Sequence, residues 1–470
     1  MLELSLSEIA AAVGGRLAQA DPETRVDNLS TDSRTVGVGD LYWALRGERF
    51  DGHDFCEEAL RKGARAVVME DKKLPNLRVP SIRVPDSLAA LGDLAHFLRQ
   101  KSEARFIGVT GSVGKTTTKE FLRRALEKFA KTRATEGNLN NLIGVPKTLA
   151  QVEPDDRYVV LEIGIDRPGE MDRLADMTTP DVGVITSVSE AHLERMGDIE
   201  TVVKEKSRLL TSLKPAGLAV VPHDSPYRED LVAASKAPAV TFGTTLGSDY
   251  FAADPKMKTR GCYRFLLETP HGKGEVELQV PGEHMVQAAT AAAAVAVSSG
   301  LPLAGVIEGL QTFTGLPGRC EVIEMTDGIT VIADHYNANP VSMKSAQHLL
   351  ESFVERRKVF IAGEMWDLGT QSVSLHRMVG KRLGSGSIDL LVAVGPKTRE
   401  LTRAAQEAGL PRRSIRWFDT TETAALEVPR LLMPSDVVLV KGSRGMKLEK
   451  VVDSLTRHFG SQAGSRGNSC

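Results

Sequence analysis

Phe106-Ile107-Gly108-Val109-Thr110-Gly111-Ser112-Val113-Gly114-Lys115-Thr116-Thr117-Thr118 is the stretch on which the reading of this chain turns. It begins as a short apolar strand, passes through a glycine-rich turn and opens a helix. The helix is predicted because Phe121, Leu122, Ala125, Leu126 and Phe129 recur at helical spacing, while Arg123, Arg124 and Lys128 fall off that stripe. Glycines let successive backbone N–H groups curl round an anion, and the helix N-terminus adds partial positive charge. Gly111, Ser112, Gly114 and Thr117 would then cradle phosphates, Lys115 would reach the outer ones, and the Thr116 hydroxyl would bind Mg²⁺. The strict phosphate-loop spacing requires glycine where Val109 stands, and Gly108 lies one residue too early. A plain glycine turn before a helix is the simpler alternative. Strand, Gly-Lys-Thr and helix together favour a nucleoside triphosphate site.

At 470 residues the chain has room for roughly three domains. Lys+Arg of 59 against Asp+Glu of 61 leaves no basic field, which argues against nucleic acid or anionic lipid as a partner. Cys56, Cys262, Cys320 and Cys470 show no spacing that suggests zinc or a disulfide framework. A reduced, cytoplasmic compartment follows as the expectation. The N-terminus lacks the basic start of a signal peptide, and the longest apolar run, Ala288 to Val297, is too short to span a membrane.

The fold expected is α/β in three parts. Residues 1–85 read as a small α/β domain, with a helix from Leu6, strands near Asp40–Leu45 and Ala66–Met69, and a proline-marked linker from Pro75 to Pro85. Residues 86–317 read as a central phosphate-loop domain in which strands and helices alternate, as in a largely parallel sheet. Residues 318–460 read as a second, Rossmann-like doubly wound domain, with strands ending at Asp334, Gly363, Gly395 and Lys441. Residues 461–470 read as a disordered Gly/Ser-rich tail.

Several polar residues sit where ligands gather, beyond the carboxyl ends of parallel strands. Glu162 ends an apolar strand and suits a hard cation; an ordinary surface glutamate is the bland alternative. His192 follows the strand Val182–Thr186, but a lone histidine is more often structural, and imidazole is not a preferred Mg²⁺ ligand. Lys206 falls on the apolar stripe of a helix from Ile199 to Leu210, in line with Val202 and Leu210. It is either a snorkelling lysine or a buried one, mostly neutral and able to take up CO₂ as a carbamate. Arg319, after Gly315-Leu316-Pro317-Gly318, is either an interdomain ion-pair partner or a clamp on a transferring phosphoryl group.

With these residues in view the chain resembles the Mur ligases over about residues 28–458. The family's own phosphate loop shares the spacing Gly108 to Thr116, which accounts for the misfit above. Gly137-Asn138-Leu139-Asn140-Asn141-Leu142-Ile143-Gly144, Leu161-Glu162-Ile163-Gly164 and Ala191-His192-Leu193-Glu194 are similar to its asparagine-rich and metal-site segments. Lys204-Glu205-Lys206-Ser207 resembles the segment whose second lysine is carbamylated in relatives, and Gly318-Arg319 the one with a nucleotide-contacting arginine. Asp334-His335-Tyr336-Asn337-Ala338-Asn339-Pro340 favours the branch that adds D-alanyl-D-alanine to UDP-N-acetylmuramoyl-tripeptide. Asp32-Ser33-Arg34 and Ala44 to His53 resemble that branch's uridine-nucleotide domain.

The resemblance implies an ATP-dependent, ADP-forming amide ligase of cell-wall peptidoglycan synthesis that works through an acyl phosphate. It implies ATP contacts from Asn141, Arg319 and Asp334. It further implies two Mg²⁺ ions held by Thr116, Glu162, His192 and carbamylated Lys206, with Lys115, Lys206, His192 and Arg319 serving catalysis. Ser33 and Arg34 would face the uridine nucleotide, and Asn337, Ser443 and Arg444 the peptide substrates. A monomer is expected. One departure stands out: the family's asparagines one and four residues after the histidine equivalent to His284 are here Met285 and Ala288. The rival readings are another Mur-type or folylpolyglutamate-type ligase, a catalytically weakened nucleotide-binding relative, and a phosphate-loop kinase or ATPase.

Overall fold

The computed structural model describes residues 4–26, 28–47, 49–73, 77–189, 193–258 and 261–466. Three separate sheets organise them, besides a two-stranded pairing of Leu4–Ser5 with Arg25–Val26.

The first sheet runs Arg16–Ala18, Ser81–Val84, Ala66–Glu70, Leu41–Trp43, Leu29–Ser30, parallel throughout except at the Arg16–Ala18 edge. The segment read as a proline-marked linker therefore contributes a strand, Ser81–Val84, fully buried beside Ala66–Glu70. Pro80 and Pro85 flank that strand without entering it, so no ladder N–H is lost. Helix Ser87–Lys101 follows, its N-terminus capped by the Asp86 carboxylate, which accepts from Leu88 and Ala89 at 2.8 Å. This helix ties two sheets together. The Trp43 indole donates to the Ser87 carbonyl at 2.8 Å, and Arg99 pairs with Asp181 at 3.0 Å.

The second sheet has nine strands. Thr132–Ala134, Tyr158–Glu162, Arg105–Thr110, Val182–Ile185, Leu218–Pro222, Ala239–Gly243 and Tyr250–Met257 run parallel, and Cys262–Thr269 and Gly272–Pro281 close the edge antiparallel. The alternating-strand-and-helix expectation fails over this edge. Tyr250 to Pro281 is a meander whose inward residues, among them Phe265, Leu267, Val276, Leu278 and Val280, recur with period two. Helix Lys115–Glu127 lies on one face, burying Phe121, Leu122, Ala125 and Leu126, with Phe121 edge-on to Phe313 at 4.6 Å. Each of the phenylalanine and leucine side chains removed from water contributes about 1.5–3 kcal/mol. The alanine-rich helix His284–Ser298 packs against this core; its small side chains permit close approach, and all from Ala288 to Val297 are buried.

The third sheet runs Ile415–Phe418, Leu390–Val394, Lys358–Ala362, Val437–Lys441, Thr330–Ala333, Glu321–Met325, Ser461–Arg466. The first five are parallel and the last two pairings antiparallel. Ser461–Arg466 was expected to be disordered; it is instead an edge strand on Glu321–Met325. A strand edge pairs through backbone groups alone, so a Gly/Ser-rich composition does not forbid it. Cys262 is disulfide-bonded, which the cysteine spacing did not suggest, whereas Cys56 and Cys320 are free and buried.

Candidate active site

The phosphate loop is built by its neighbours. Thr186 and Ser187, just past the strand Val182–Ile185, supply the contacts. Thr186 Oγ1 donates to the Val113 carbonyl at 2.6 Å, and Ser187 Oγ accepts the Val113 N–H at 3.0 Å. The Ser112 N–H donates to the Ser187 carbonyl at 2.9 Å. A Cβ on Gly111 would lie 2.0 Å from Thr186 Oγ1 and 2.9 Å from the Ser187 nitrogen, so only glycine fits. Gly114, at φ +86°, turns the chain into the helix that starts at Lys115. The Lys115 ammonium folds back to the Gly111 carbonyl at 2.8 Å. Desolvation lowers its pKa, against the opposing attraction of Glu162.

Glu162 ends the strand beside this loop and is buried. Its Oε1 accepts from Asn140 Nδ2 at 2.8 Å, and its backbone N–H donates to Thr135 Oγ1 at 3.0 Å. Among the described residues its Oε2 is buried without a hydrogen-bond partner. A bare carboxylate oxygen on a residue that lines the same cavity as Thr116 is a hard anionic ligand, and Mg²⁺ fits that donor set. Lys206 is buried too, and its pKa is pulled down to about 7, first by desolvation and then by repulsion from Lys115. The ammonium form is therefore disfavoured, and because the whole side chain is buried the snorkelling alternative does not hold. His192 lies outside the described residues.

Across the opening stands the third sheet's rim. One cavity of about 470 Å³ is lined by Ser112, Gly114, Lys115, Thr116, Thr117, Asn141 and Glu162 from one side and by Arg319, Asp334 and Asn337 from the other. The Arg319 guanidinium lies over the Tyr336 ring, 4.0 Å from its centroid. Asp334 is held by Lys441 at 2.6 Å, and the Lys441 ammonium also donates to the Asn337 carbonyl at 3.0 Å. Met285 and Ala288 line the same cavity and are buried, and Gln287, on the same helical turn, is exposed to it.

Not all sequence-selected residues meet there. Ser33 and Arg34 belong to the first sheet's rim. The Ser33 carbonyl accepts from Lys62 at 2.9 Å, and Arg34 grips Asp32 through Nε and Nη2, holding that carboxyl down to about 2. Ser443 is buried with its Oγ accepting the Trp366 N–H at 2.8 Å, and Arg444 is exposed and 3.6 Å from Glu449. Asn141 Oδ1 accepts from the Ile143 and Gly144 N–H groups, so its amide shapes the asparagine-rich turn. Three residues that sequence reasoning did not select prove structural to the site: Asn140, Lys441 and Tyr336. Asn140 and Tyr336 lay within segments already singled out; nothing local marked Lys441 as the partner of Asp334, 107 residues away.

Comparison with known proteins agrees over the whole length. The model for the Mur ligase middle domain matches residues 109–296, that for the Mur ligase glutamate ligase domain residues 318–444, and that for the Mur ligase family catalytic domain residues 25–99. The UDP-N-acetylmuramoyl-tripeptide–D-alanyl-D-alanine ligase of Escherichia coli K12 is 32% identical over 460 residues, covering 97% of this chain and 99% of its own. The ligase of the same name from Bacillus subtilis 168 is 32% identical over 459 residues, covering 97% and 99%. A crystal structure of MurF from Acinetobacter baumannii superposes with a TM-score of 0.90 at 32% identity, over 97% of this chain and 99% of that one. MurF from Thermotoga maritima in complex with ADP gives 0.82 at 28% identity, over 92% and 98%. On this sequence and structural evidence the chain belongs to the Mur ligase family.

Proposed function

We propose that this chain is an ATP-dependent, ADP-forming ligase that joins D-alanyl-D-alanine to UDP-N-acetylmuramoyl-tripeptide. The observation that carries the reading is the single cavity bounded on one side by the phosphate loop and Glu162 and on the other by Arg319 and Asp334. A carboxylate is a poor acylating agent, so an amide forms in water only after activation. The tripeptide carboxylate attacks the γ-phosphate of ATP, ADP leaves, and the dipeptide amine then displaces phosphate from the acyl phosphate. Lys115 and Arg319 approach the transferring group from opposite walls and stabilise its charge. Water kept out of the gap between the two sheets spares the acyl phosphate from hydrolysis.

Mg²⁺, when bound, neutralises phosphate charge; Thr116 and Glu162 would hold it, together with His192 and Lys206 as the carbamate. The bare Glu162 Oε2 and the lowered Lys206 pKa support that set, since a neutral amine takes up CO₂ and a carbamate offers the anionic oxygens a plain lysine lacks. We assign residues 1–85 to the uridine nucleotide through Ser33 and Arg34, 86–317 to ATP, and 318–460 to the dipeptide, with Asn337, Ser443 and Arg444 on that side. Among the described residues no helix is long and apolar enough to cross a membrane. A cytoplasmic monomer is the working assignment. The deciding experiment supplies ATP, the UDP-tripeptide and the dipeptide, omits each in turn, and follows ADP and the product's mass. Pentapeptide formed only with all three supports the reading, and ADP release indifferent to the dipeptide refutes it.

A further inference from the structure

We infer that Tyr336 is a positioning residue for the ligase reaction: its ring is the seat that aims the Arg319 guanidinium at the phosphates. The inference rests on the function proposed above. Among the described residues no carboxylate lies within ion-pair distance of Arg319 and no acceptor takes a hydrogen bond from its guanidinium. What holds it is the Tyr336 face, 4.0 Å from the guanidinium carbon to the ring centroid. A guanidinium over a ring face keeps its N–H bonds directed outward at the edge, and the aromatic quadrupole attracts the cation without neutralising it. A carboxylate partner would consume the donors and the charge that a phosphoryl group requires. Arg444 shows the contrast: it sits 5.6 Å from the same ring's centroid but also has Glu449 at 3.6 Å.

The backbone makes the seat rigid. The Tyr336 N–H donates to the Gly318 carbonyl at 3.1 Å, and the Arg319 N–H donates to the Leu316 carbonyl at 3.1 Å, so ring and arginine are registered on one turn. Gly318 has φ +68°, and a Cβ there would come within 2.9 Å of His335, which restricts the turn to glycine. The Tyr336 hydroxyl has no hydrogen-bond partner among the described residues. The ring, not the phenol, is therefore the working part.

The test uses full-length protein with all three substrates saturating, comparing Tyr336→Phe, Tyr336→Leu, Arg319→Ala and the Arg319→Ala/Tyr336→Leu double variant. Tyr336→Phe should keep kcat within about twofold, while Tyr336→Leu should lower it about tenfold with the KM for ATP little changed. In the Arg319→Ala background the leucine should cost nothing further. Parent-like kcat for Tyr336→Leu, a rise in KM for ATP in place of the kcat loss, or factors that multiply in the double variant would overturn the inference. Tyr336→Met makes the same comparison if the leucine variant does not fold. Product formation by the parent protein tests the ligase reading on its own. Independently of activity, the Arg319 side-chain NMR signals should be shifted upfield by the ring in the parent and in Tyr336→Phe but not in Tyr336→Leu; unshifted signals in the parent would refute the seat.

Discussion

Asn140 Nδ2 donates to Glu162 Oε1 at 2.8 Å while Oε2 of the same carboxylate stays buried and, among the described residues, bare. One oxygen is thus spent on orientation and the other kept for a ligand. Outer partners of this kind typically change metal affinity by about 10–100-fold when removed. Asn140→Ala should accordingly raise the Mg²⁺ concentration for half-maximal turnover at least about tenfold, with kcat recovering at high Mg²⁺. Mn²⁺ binding followed by electron paramagnetic resonance checks the same claim without turnover.

Lys206→Ala should abolish turnover, and short carboxylates added to the assay should restore part of it by standing where the carbamate oxygens would. Full activity in Lys206→Ala would remove the carbamate from the mechanism.

Burial of Lys206 also predicts a pH signature in metal-free, bicarbonate-free buffer. Its pKa is about 7 folded against 10.5 for an ordinary lysine, so between those values the unfolded chain binds more protons than the folded one. Stability contributed by this group therefore rises as pH increases from 7 toward 10.5, and protonation below 7 carries the full penalty. Thermal melts of Lys206→Met should lose that rise while remaining parent-like in their other pH dependence.

Gly111→Ala places a Cβ 2.0 Å from Thr186 Oγ1 and 2.9 Å from the Ser187 backbone nitrogen, which cannot swing aside as a flexible side chain can. ATP binding measured by calorimetry should be lost, and the melting temperature should fall by several degrees, as expected for a strain of about 2 kcal/mol.

The Asp334–Lys441 pair is 2.6 Å long and Lys441 is buried. Asp334→Ala strands that ammonium and should destabilise the protein by about 3 kcal/mol. Asp334→Leu combined with Lys441→Met should recover much of the stability in denaturant unfolding but none of the turnover, which separates the pair's structural part from its place in the cavity.

Local pattern determined a good deal about this protein. The strand, turn and helix around Lys115, the stripe that buries Lys206 and the acid closing Tyr158–Glu162 are all readable because the backbone period and side-chain chemistry are set within a few residues. The same locality explains the errors. Ser81–Val84, the Tyr250–Pro281 meander and the Ser461–Arg466 edge owe their strand pairing to partners distant in sequence, and composition near a proline or glycine cannot report a neighbour that far away. Only the tertiary structure decided, among the described residues, which Glu162 oxygen is free, that Lys441 neutralises Asp334, and that an aromatic ring and no carboxylate carries Arg319. Those are distances between residues up to 107 apart in sequence, set where distant strands such as Thr330–Ala333 and Val437–Lys441 pair, and charge, desolvation and aim at the site depend on them.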